Sequence, residues 1–352
     1  MYSELGQRVV AVDLDPQANL TAFFLKEERL EKIWPWGRDD PNSRRDHSNT
    51  TCGRDHRNSR RDHSNTIFGC VQPLIKGRGD ITEPHLEFIN INNTNNQNKL
   101  ALLPGDLYLS LFEGQLSEVW PKCMDKDERA FLVISAFWRI MQKAATKHKA
   151  DVILVDLGPN LGAINRAALI AADYIVLPLS PDLFSLRGLR NLGPTLQEWR
   201  KEWKSRLAQK PDVDDLDLPQ GQMNPLGYVV LQHSERLNRP VKSYKHWIAK
   251  IPNVYKQEVL YEKLNDKEAN DNSDKEVNDN SQKDDPNCLA LIKNYKSLMP
   301  KAQKAHKPIF SLTSADGAIG SHLNTVKEAY KAFESLAIKI QEKLQALYKP
   351  GF

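Results

Sequence analysis

The sequence has few cysteines, and no spacing among them marks a redox or metal site. Cys52, Cys70, Cys123 and Cys288 are scattered without a C-x-x-C pair, which is typical of free thiols in a reducing cytosol. No apolar run approaches the ~20 residues of a membrane-spanning helix. The N-terminus also has no charged region followed by an apolar core, as a secretory signal requires. The sequence therefore predicts a cytoplasmic protein without a membrane-spanning segment.

Charge is distributed unevenly along the 352 residues, whose net charge is +4. Residues 262–285 carry nine acids and four lysines, whereas the chain from Pro286 onward has ten lysines, four acids and no arginine. A basic excess favours phosphate-bearing partners but does not identify one. A solvated lysine surface is the alternative interpretation.

Two polar segments have the features of disordered insertions. The 16-residue repeat "GRDDPNSRRDHSNT" at 37–50 recurs almost unchanged at 53–66, with no apolar side chain to bury. An eight-residue repeat, "DKEANDNSDKEVNDNS", occupies 266–281. Because neither segment offsets the entropy of ordering, we expect disorder in the insertions 37–66 and 262–285.

The first insertion also brings histidines near two cysteines, which raises the question of a zinc site. The residues are His47, His56, His63, Cys52 and Cys70. Their spacing fits no zinc-finger pattern, and the histidines arise from the duplication, so a zinc site is disfavoured.

Apolar strands alternate with helices outside the insertions. Nearly continuous apolar runs predict five strands, at 8–15, 100–106, 151–158, 174–180 and 226–233. Helices are predicted at about 127–148, 160–172, 184–208, 240–250 and 321–347, the last with an apolar stripe at 3–4 spacing. This order predicts one doubly wound α/β domain over residues 1–352, with a mainly parallel sheet.

The first strand, in "QRVVAVDLDPQANLT", ends in Asp13 and Asp15. Several protein classes place acids at a strand end. Gln17 stands where an aspartyl-nucleophile phosphatase has Thr or Val, and a receiver domain is shorter than this core. No G-x-G-x-x-G follows the strand, as a dinucleotide enzyme requires. Capping of the next helix is the structural alternative for the two acids.

A second acid-tipped strand distinguishes among these classes. "ADVILVDLGPNLGAINRAALIAADYIVLPLSPDLFSLRGL" (150–189) contains a strand that ends in Asp156 before a Gly-Pro turn and a helix. Together with "GQRVVAVDLDPQANLT" and "HKPIFSLTSADGAIG", this stretch resembles the ParA type of partition ATPase, within the ParA/MinD group of P-loop NTPases. The similar segments are spread over the whole chain apart from the insertions.

The resemblance implies a role for each matching residue. Asp15 would orient the attacking water, and Asp13 would lie beside Mg²⁺ and the γ-phosphate. Asp156 matches the Walker B position and would hold Mg²⁺ through water. Gln17 and Pro178 would lie at the nucleotide. The family also implies ATP and Mg²⁺ as cofactors, a homodimer, non-specific binding to nucleoid DNA, and a ParB-like centromere-binding partner.

The chain departs from this family in its phosphate loop. No G-x-x-x-x-G-K-[ST] occurs in the sequence, although the backbone N–H groups and lysine of that loop hold the phosphates in the family. "YSELGQRVVAVDLD" resembles the end of the first helix and the second strand, so the first strand and the Walker A loop are expected to be missing. We therefore expect that this chain has no submicromolar affinity for Mg-ATP. We also expect raised pKa values for its clustered acids, because like charges repel. The strand bearing Asp156 is expected to lack a neighbouring strand.

Two basic segments are candidates for contact with DNA. Aromatic residues alternate with basic ones in "HSERLNRPVKSYKHWIAK" (233–250), which we expect to contact the phosphate backbone mainly from a helix. Its basic residues are Arg236, Arg239, Lys242, Lys245 and Lys250. Inward packing of Tyr244 and Trp247 is the alternative. The second candidate is Lys301, Lys304 and Lys307.

Two functions remain open from the sequence. The chain is either a partition ATPase that couples ATP-dependent dimerisation and DNA binding to segregation, or a catalytically inactive remnant or partner-binding regulator.

Overall fold

The structure is a computed structural model of the chain. It describes residues 1–34, 63–90, 98–214, 216–233, 235–236, 239–240, 242–262 and 285–347, and between 232 and 245 the backbone alone. Nine strands are described: β1 Val9–Asp13, β2 Glu87–Phe88, β3 Leu100–Leu103, β4 Val152–Asp156, β5 Tyr174–Leu179, β6 Asn224–His233, β7 Glu235–Arg236, β8 Arg239–Pro240 and β9 Cys288–Lys293.

Helices connect these strands. They are α1 Asn19–Phe24, α2 Glu27–Ile33, α3 Ile67–Ile75, α4 Phe112–Val119, α5 Glu128–Ile134, α6 Ala136–His148, α7 Ala163–Ile170, α8 Leu183–Leu207, α9 Lys242–Val254, α10 Leu298–Ala305 and α11 Ser321–Leu347. The helix predicted at 127–148 is divided at Ser135 into α5 and α6, and the last helix has the predicted bounds 321–347.

The strands form two mainly parallel sheets. One has the order β2-β3-β1-β4, in which β1 is parallel to β3 and β4, and only the short β2 is antiparallel. The other has the order β5-β6-β9 and is parallel throughout. Strands β7 and β8 form a separate antiparallel hairpin. The prediction of a doubly wound, mainly parallel α/β fold is confirmed.

Helices cover both faces of the two sheets. Val10 and Val12 of β1 share one buried cluster with Ile175 and Leu177 of β5 and with helices α7 and α8. On the opposite face, Ile340 of α11 packs against clusters from both sheets. The apolar stripe of α11 therefore packs on the sheets, as its periodicity predicted.

Strand β4 lies at an open edge. Among the described strands it has a hydrogen-bonded neighbour on one side only, β1, and the sheet order breaks between β4 and β5. Its five residues are VILVD, yet none of them is buried, and Leu154 is 45% exposed. This is the position at which the family resemblance placed one more strand.

The predicted insertions lie mostly outside the described residues, which resume at 63 and 285. The last four residues of the first insertion, 63–66, are a correction to the predicted boundary, because they fold against the core. His63 and Thr66 are buried, and Thr66 caps α3 by accepting a hydrogen bond from the Gly69 N–H. Asp285, at the end of the second insertion, is also buried and accepts the Tyr228 hydroxyl hydrogen at 2.6 Å.

Within the described ranges, no helix combines the length and the apolar character needed to cross a bilayer.

Candidate functional site

Three carboxylates meet at the carboxyl edge of the first sheet. Asp13 and Asp156 are paired in register at the ends of β1 and β4, and the pairing continues through the Leu14 N–H, which donates to the Asp156 carbonyl at 3.0 Å. Asp15 follows in the next turn and acts on Asp156 as a neighbouring like charge. The clustering of these acids, predicted from the strand ends, is therefore present.

Asp13 is enclosed by protein. Asp13 is 0% exposed. Its Oδ2 accepts hydrogen bonds from the Thr21 N–H at 2.8 Å and from the Thr21 hydroxyl at 2.7 Å. Its Oδ1 is buried without a partner in the described part of the chain. Burial raises the pKa of Asp13 to about 6, the Thr21 hydrogen bonds oppose the rise, and the charge of Asp156 adds to it.

Asp15 lies in a tight turn and is partly open to solvent. Its Oδ1 accepts the Gln17 N–H at 3.0 Å, and its carbonyl accepts the Ala18 N–H at 2.8 Å. Ala18 has a left-handed backbone, with φ of 52°, which turns the chain into α1. The side chain of Gln17 is exposed and accepts a hydrogen bond from Asn19. Asp15 thus faces outward from a fixed loop.

Asp156 lies at the open edge. More than a third of the residue reaches solvent, yet its pKa is raised, first because the surrounding protein removes part of its hydration and second because Asp15 lies nearby. A divalent cation between Asp15 and Asp156 would relieve that repulsion, and Mg²⁺ prefers oxygen ligands and retains water. In the described ranges no group of three or more His, Cys, Asp or Glu side chains could hold a metal ion directly. Two carboxylates leave most ligand positions of a divalent cation to water, so a cation here would be held partly through water.

The loop after β4 is fixed by residues that the sequence reasoning missed. Asn165 donates its side-chain amide to the carbonyls of Gly158, at 2.6 Å, and Asn160, at 2.5 Å. The Glu113 carboxylate accepts backbone N–H groups from the first turn of α7, including Ile164 at 2.8 Å. Glu113 lies about fifty positions away in the chain, so no local pattern could have indicated this cap.

Pro178 is not brought into the acid cluster. It is exposed on β5, in the second sheet, where it pairs with Val229 of β6.

The basic candidates occupy two different elements. Arg236 and Arg239 are paired in the β7–β8 hairpin, which precedes the helix predicted at about 240–250. Lys242, Lys245 and Lys250 lie on α9. In the same helix, Trp247 packs against the core with the Lys250 ammonium 5.8 Å from its ring, so the inward-packing alternative is correct for this aromatic.

The second lysine cluster is largely engaged within the protein. Lys301 donates to the Gly317 carbonyl at 2.6 Å, and Lys307 pairs with both oxygens of Asp316 at 3.0 Å. Lys304 is exposed. These contacts weaken the prediction of a DNA surface here, because two of its three charges already have partners.

Comparison with known proteins identifies the family. A family model described as an AAA domain matches residues 1–209, which is more than half of the chain. The uncharacterised protein MJECL24 of Methanocaldococcus jannaschii is 26% identical over 156 residues, 44% of this chain and 49% of that protein. The virulence plasmid ParA family protein pGP5-D of Chlamydia psittaci is 27% identical over 114 residues, 32% of this chain and 36% of that protein. The matches span about half and about a third of these two curated relatives.

The fold is also similar to that of a solved protein. Apo McdA of Cyanothece gives a TM-score of 0.52 at 16% identity, covering 96% of this chain and 89% of that one. A variant of McdA in complex with ATP gives a TM-score of 0.50 at 14% identity, covering 94% and 87%. At these identities the likeness concerns the fold alone. The family match, together with the relative from the ParA family, shows that the chain belongs to the ParA-type P-loop ATPases.

Proposed function

We propose that this protein acts in the partitioning of plasmid or chromosomal DNA, with its acid cluster facing the Mg²⁺ of a bound nucleotide. The observation that carries this proposal is the register of β1 and β4, which puts Asp13 and Asp156 side by side with Asp15 in the adjoining turn. Carboxylates collected at the carboxyl ends of parallel strands are placed where α/β proteins of this kind bind ligands.

The three acids differ in what they offer a cation. Asp156 is exposed, Asp15 is partly exposed, and the two repel each other, so they are the groups that would hold Mg²⁺ through water. Asp13 is 0% exposed and bonded to Thr21, so it fixes the turn that presents Asp15. When bound, Mg²⁺ neutralises phosphate charge. The carboxylate half of the site fits the metal, whereas the lysine of the phosphate loop has no counterpart in the sequence.

Partners follow from the family rather than from this site. The proposal includes a homodimer, non-specific contact with nucleoid DNA in the cytoplasm, and a ParB-like centromere-binding protein. The basic hairpin β7–β8 and helix α9 are the proposed DNA contact, since they carry five basic residues within fifteen positions.

Nucleotide binding is tested by calorimetric titration of the full chain with Mg-ATP. We expect saturable binding at micromolar or weaker affinity, lost without Mg²⁺ and weakened in Asp156→Asn. Asp173→Asn is the matched control, because Asp173 is also an exposed acid beside a strand but precedes β5 instead of ending β4. Binding that is unaffected by Asp156→Asn would contradict the proposed site.

DNA binding is tested by retention of the chain on random-sequence DNA over a range of salt concentrations. Charge reversal in Arg236→Glu and Lys245→Glu should lower the affinity and flatten its salt dependence. Lys301→Glu serves as the control, because that ammonium is engaged with Gly317. Unchanged retention in the hairpin and α9 variants would remove this surface from the proposal.

A second candidate function is a partner-binding role that needs no nucleotide. It is favoured by the enclosure of Asp13, which leaves two of the three carboxylates open to a ligand. Absence of Mg-ATP binding together with retained DNA binding would assign the chain to this role.

A further inference from the structure

Two described residues, one before the first insertion and one near its end, both contact one turn of the core. Trp34, before the insertion, donates its indole N–H to the Gly105 carbonyl at 3.0 Å. His63, near the end of the insertion, has its Nδ1 2.8 Å from Asp106 Oδ2. The turn at Pro104–Asp106, immediately after β3, is therefore held from both flanks.

Asp106 anchors this turn inside the protein. The side chains of His63 and Asp106 are 6% and 1% exposed. The Thr66 hydroxyl donates to the same Asp106 Oδ2 at 2.7 Å, and the Tyr108 N–H donates to Oδ1 at 2.8 Å. A buried carboxylate whose two oxygens are both bonded is a rigid fixture, because breaking any contact leaves charge unpaired in a low dielectric.

The same turn touches the acid cluster. The Gly105 N–H donates to Thr21 Oγ1 at 2.7 Å, and that hydroxyl donates to Asp13 Oδ2 at 2.7 Å. A Cβ at residue 105 would lie 2.8 Å from the Asp13 Cγ. Movement of the turn therefore moves the donor that orients Asp13.

We propose that Trp34 and His63 are positioning residues for Asp13, acting through the Pro104–Asp106 turn and Thr21. A carboxylate site needs its groups held to within a fraction of an ångström by neighbours that are themselves fixed. Trp34 holds the turn through the Gly105 carbonyl, and His63 holds it through the Asp106 carboxylate. The consequence for cation binding rests on the proposed function, whereas the positioning of Asp13 does not.

The Thr21 amide gives a readout that a merely stabilising role would not move. This N–H donates to Asp13 Oδ2 at 2.8 Å, so its proton chemical shift reports the distance and charge of that carboxylate. Threonine-selective ¹⁵N labelling of the full chain makes the resonance observable.

Trp34→Phe removes the indole donor but keeps an aromatic ring, and His63→Ala removes the partner of Asp106. Both should shift the Thr21 amide proton upfield at pH 7.5. His63→Asn should restore the native shift, because an Asn side-chain N–H can replace the Nδ1 donor. Trp247→Phe, on α9, is the control and should leave the resonance at its native position.

A native Thr21 shift in folded Trp34→Phe and His63→Ala would overturn the proposal. If His63→Ala does not fold, the Thr21 shift of Trp34→Phe alone tests the proposal. Titration of the same samples with Mn²⁺ separates the two proposals. Absence of Mn²⁺ binding by the native chain counts against the proposed function only, because the Thr21 resonance still shows whether Trp34 and His63 position Asp13.

Discussion

Strands β1 and β4 have almost the same sequence and opposite environments. VVAVD and VILVD pair residue by residue, and each ends in an aspartate. All five residues of β1 are buried, whereas none of β4 is, because β1 lies between β3 and β4 and β4 lies at the open edge. Position in the sheet, rather than local sequence, therefore decides burial. It also decides whether the terminal aspartate is enclosed, as Asp13 is, or available to a ligand, as Asp156 is.

The largest expected effect comes from two leucines that both pair with Ala11. Leu102 on β3 is fully buried, and Leu154 on β4 is 45% exposed. Leu102→Ala should lower the free energy of unfolding by roughly 3 kcal/mol or more, since it leaves a cavity, and Leu154→Ala by less than about 1 kcal/mol. Denaturant unfolding measures both. Equal losses would show that β4 is as enclosed as β3.

The second effect is a pH dependence specific to Asp13. Its native pKa of about 6 lies above the ordinary value of 3.8 for an aspartate, so protonation favours the folded state. This stability is fully present below the unfolded pKa and is lost as pH rises through about 6. At about 1.4 kcal/mol per pKa unit it amounts to about 3 kcal/mol at most.

Asp13→Asn tests that dependence by difference. Between pH 4.5 and 7, the native chain should lose stability relative to the variant, because only the native chain must ionise a buried group. Asp173→Asn, in which an exposed acid is changed, should follow the native pH profile. A constant difference between native and Asp13→Asn across this range would contradict the raised pKa.

A smaller effect separates the two glycines that follow β3 and β4. A Cβ at Gly105 would lie 2.8 Å from the enclosed Asp13 Cγ, and a Cβ at Gly158 would lie 3.1 Å from Asp15 Oδ1. Gly105→Ala should cost about 1–3 kcal/mol because Asp13 has no room to move, and Gly158→Ala less than about 1 kcal/mol because Asp15 is partly in solvent. Thermal unfolding would show the order, and the reverse order would contradict it.

The smallest effect on folding concerns β4 as an exposed edge strand. Leu154→Lys should leave the melting temperature nearly unchanged but slow self-association at high concentration, because a charge on an exposed edge strand opposes strand pairing between chains. Light scattering over time measures this. Phe88→Lys, an exposed apolar residue on the short β2, is the control.

Much of this comparison was predictable from the chain. Continuous apolar runs predicted β1 and β4, and acids at their ends predicted the cluster, because parallel strands bring their carboxyl ends to one edge. The contacts that enclose Asp13 were not predictable. Thr21 meets Gly105 across 84 positions, and His63 meets Asp106 across 43. The burial of His63 was not predictable either, because the composition of the repeat at 53–66 indicates disorder. The last four residues of that repeat nevertheless pack against the core.

The most direct test of the central claim is Mn²⁺ binding to the full chain, followed by electron paramagnetic resonance of the free ion. We predict saturable binding that Asp156→Asn weakens by about tenfold or more, as loss of a water-mediated partner does, and that Asp173→Asn leaves unchanged. Binding of equal strength in all three proteins, or no binding to the native chain, would contradict the assignment of Asp15 and Asp156 as a cation site.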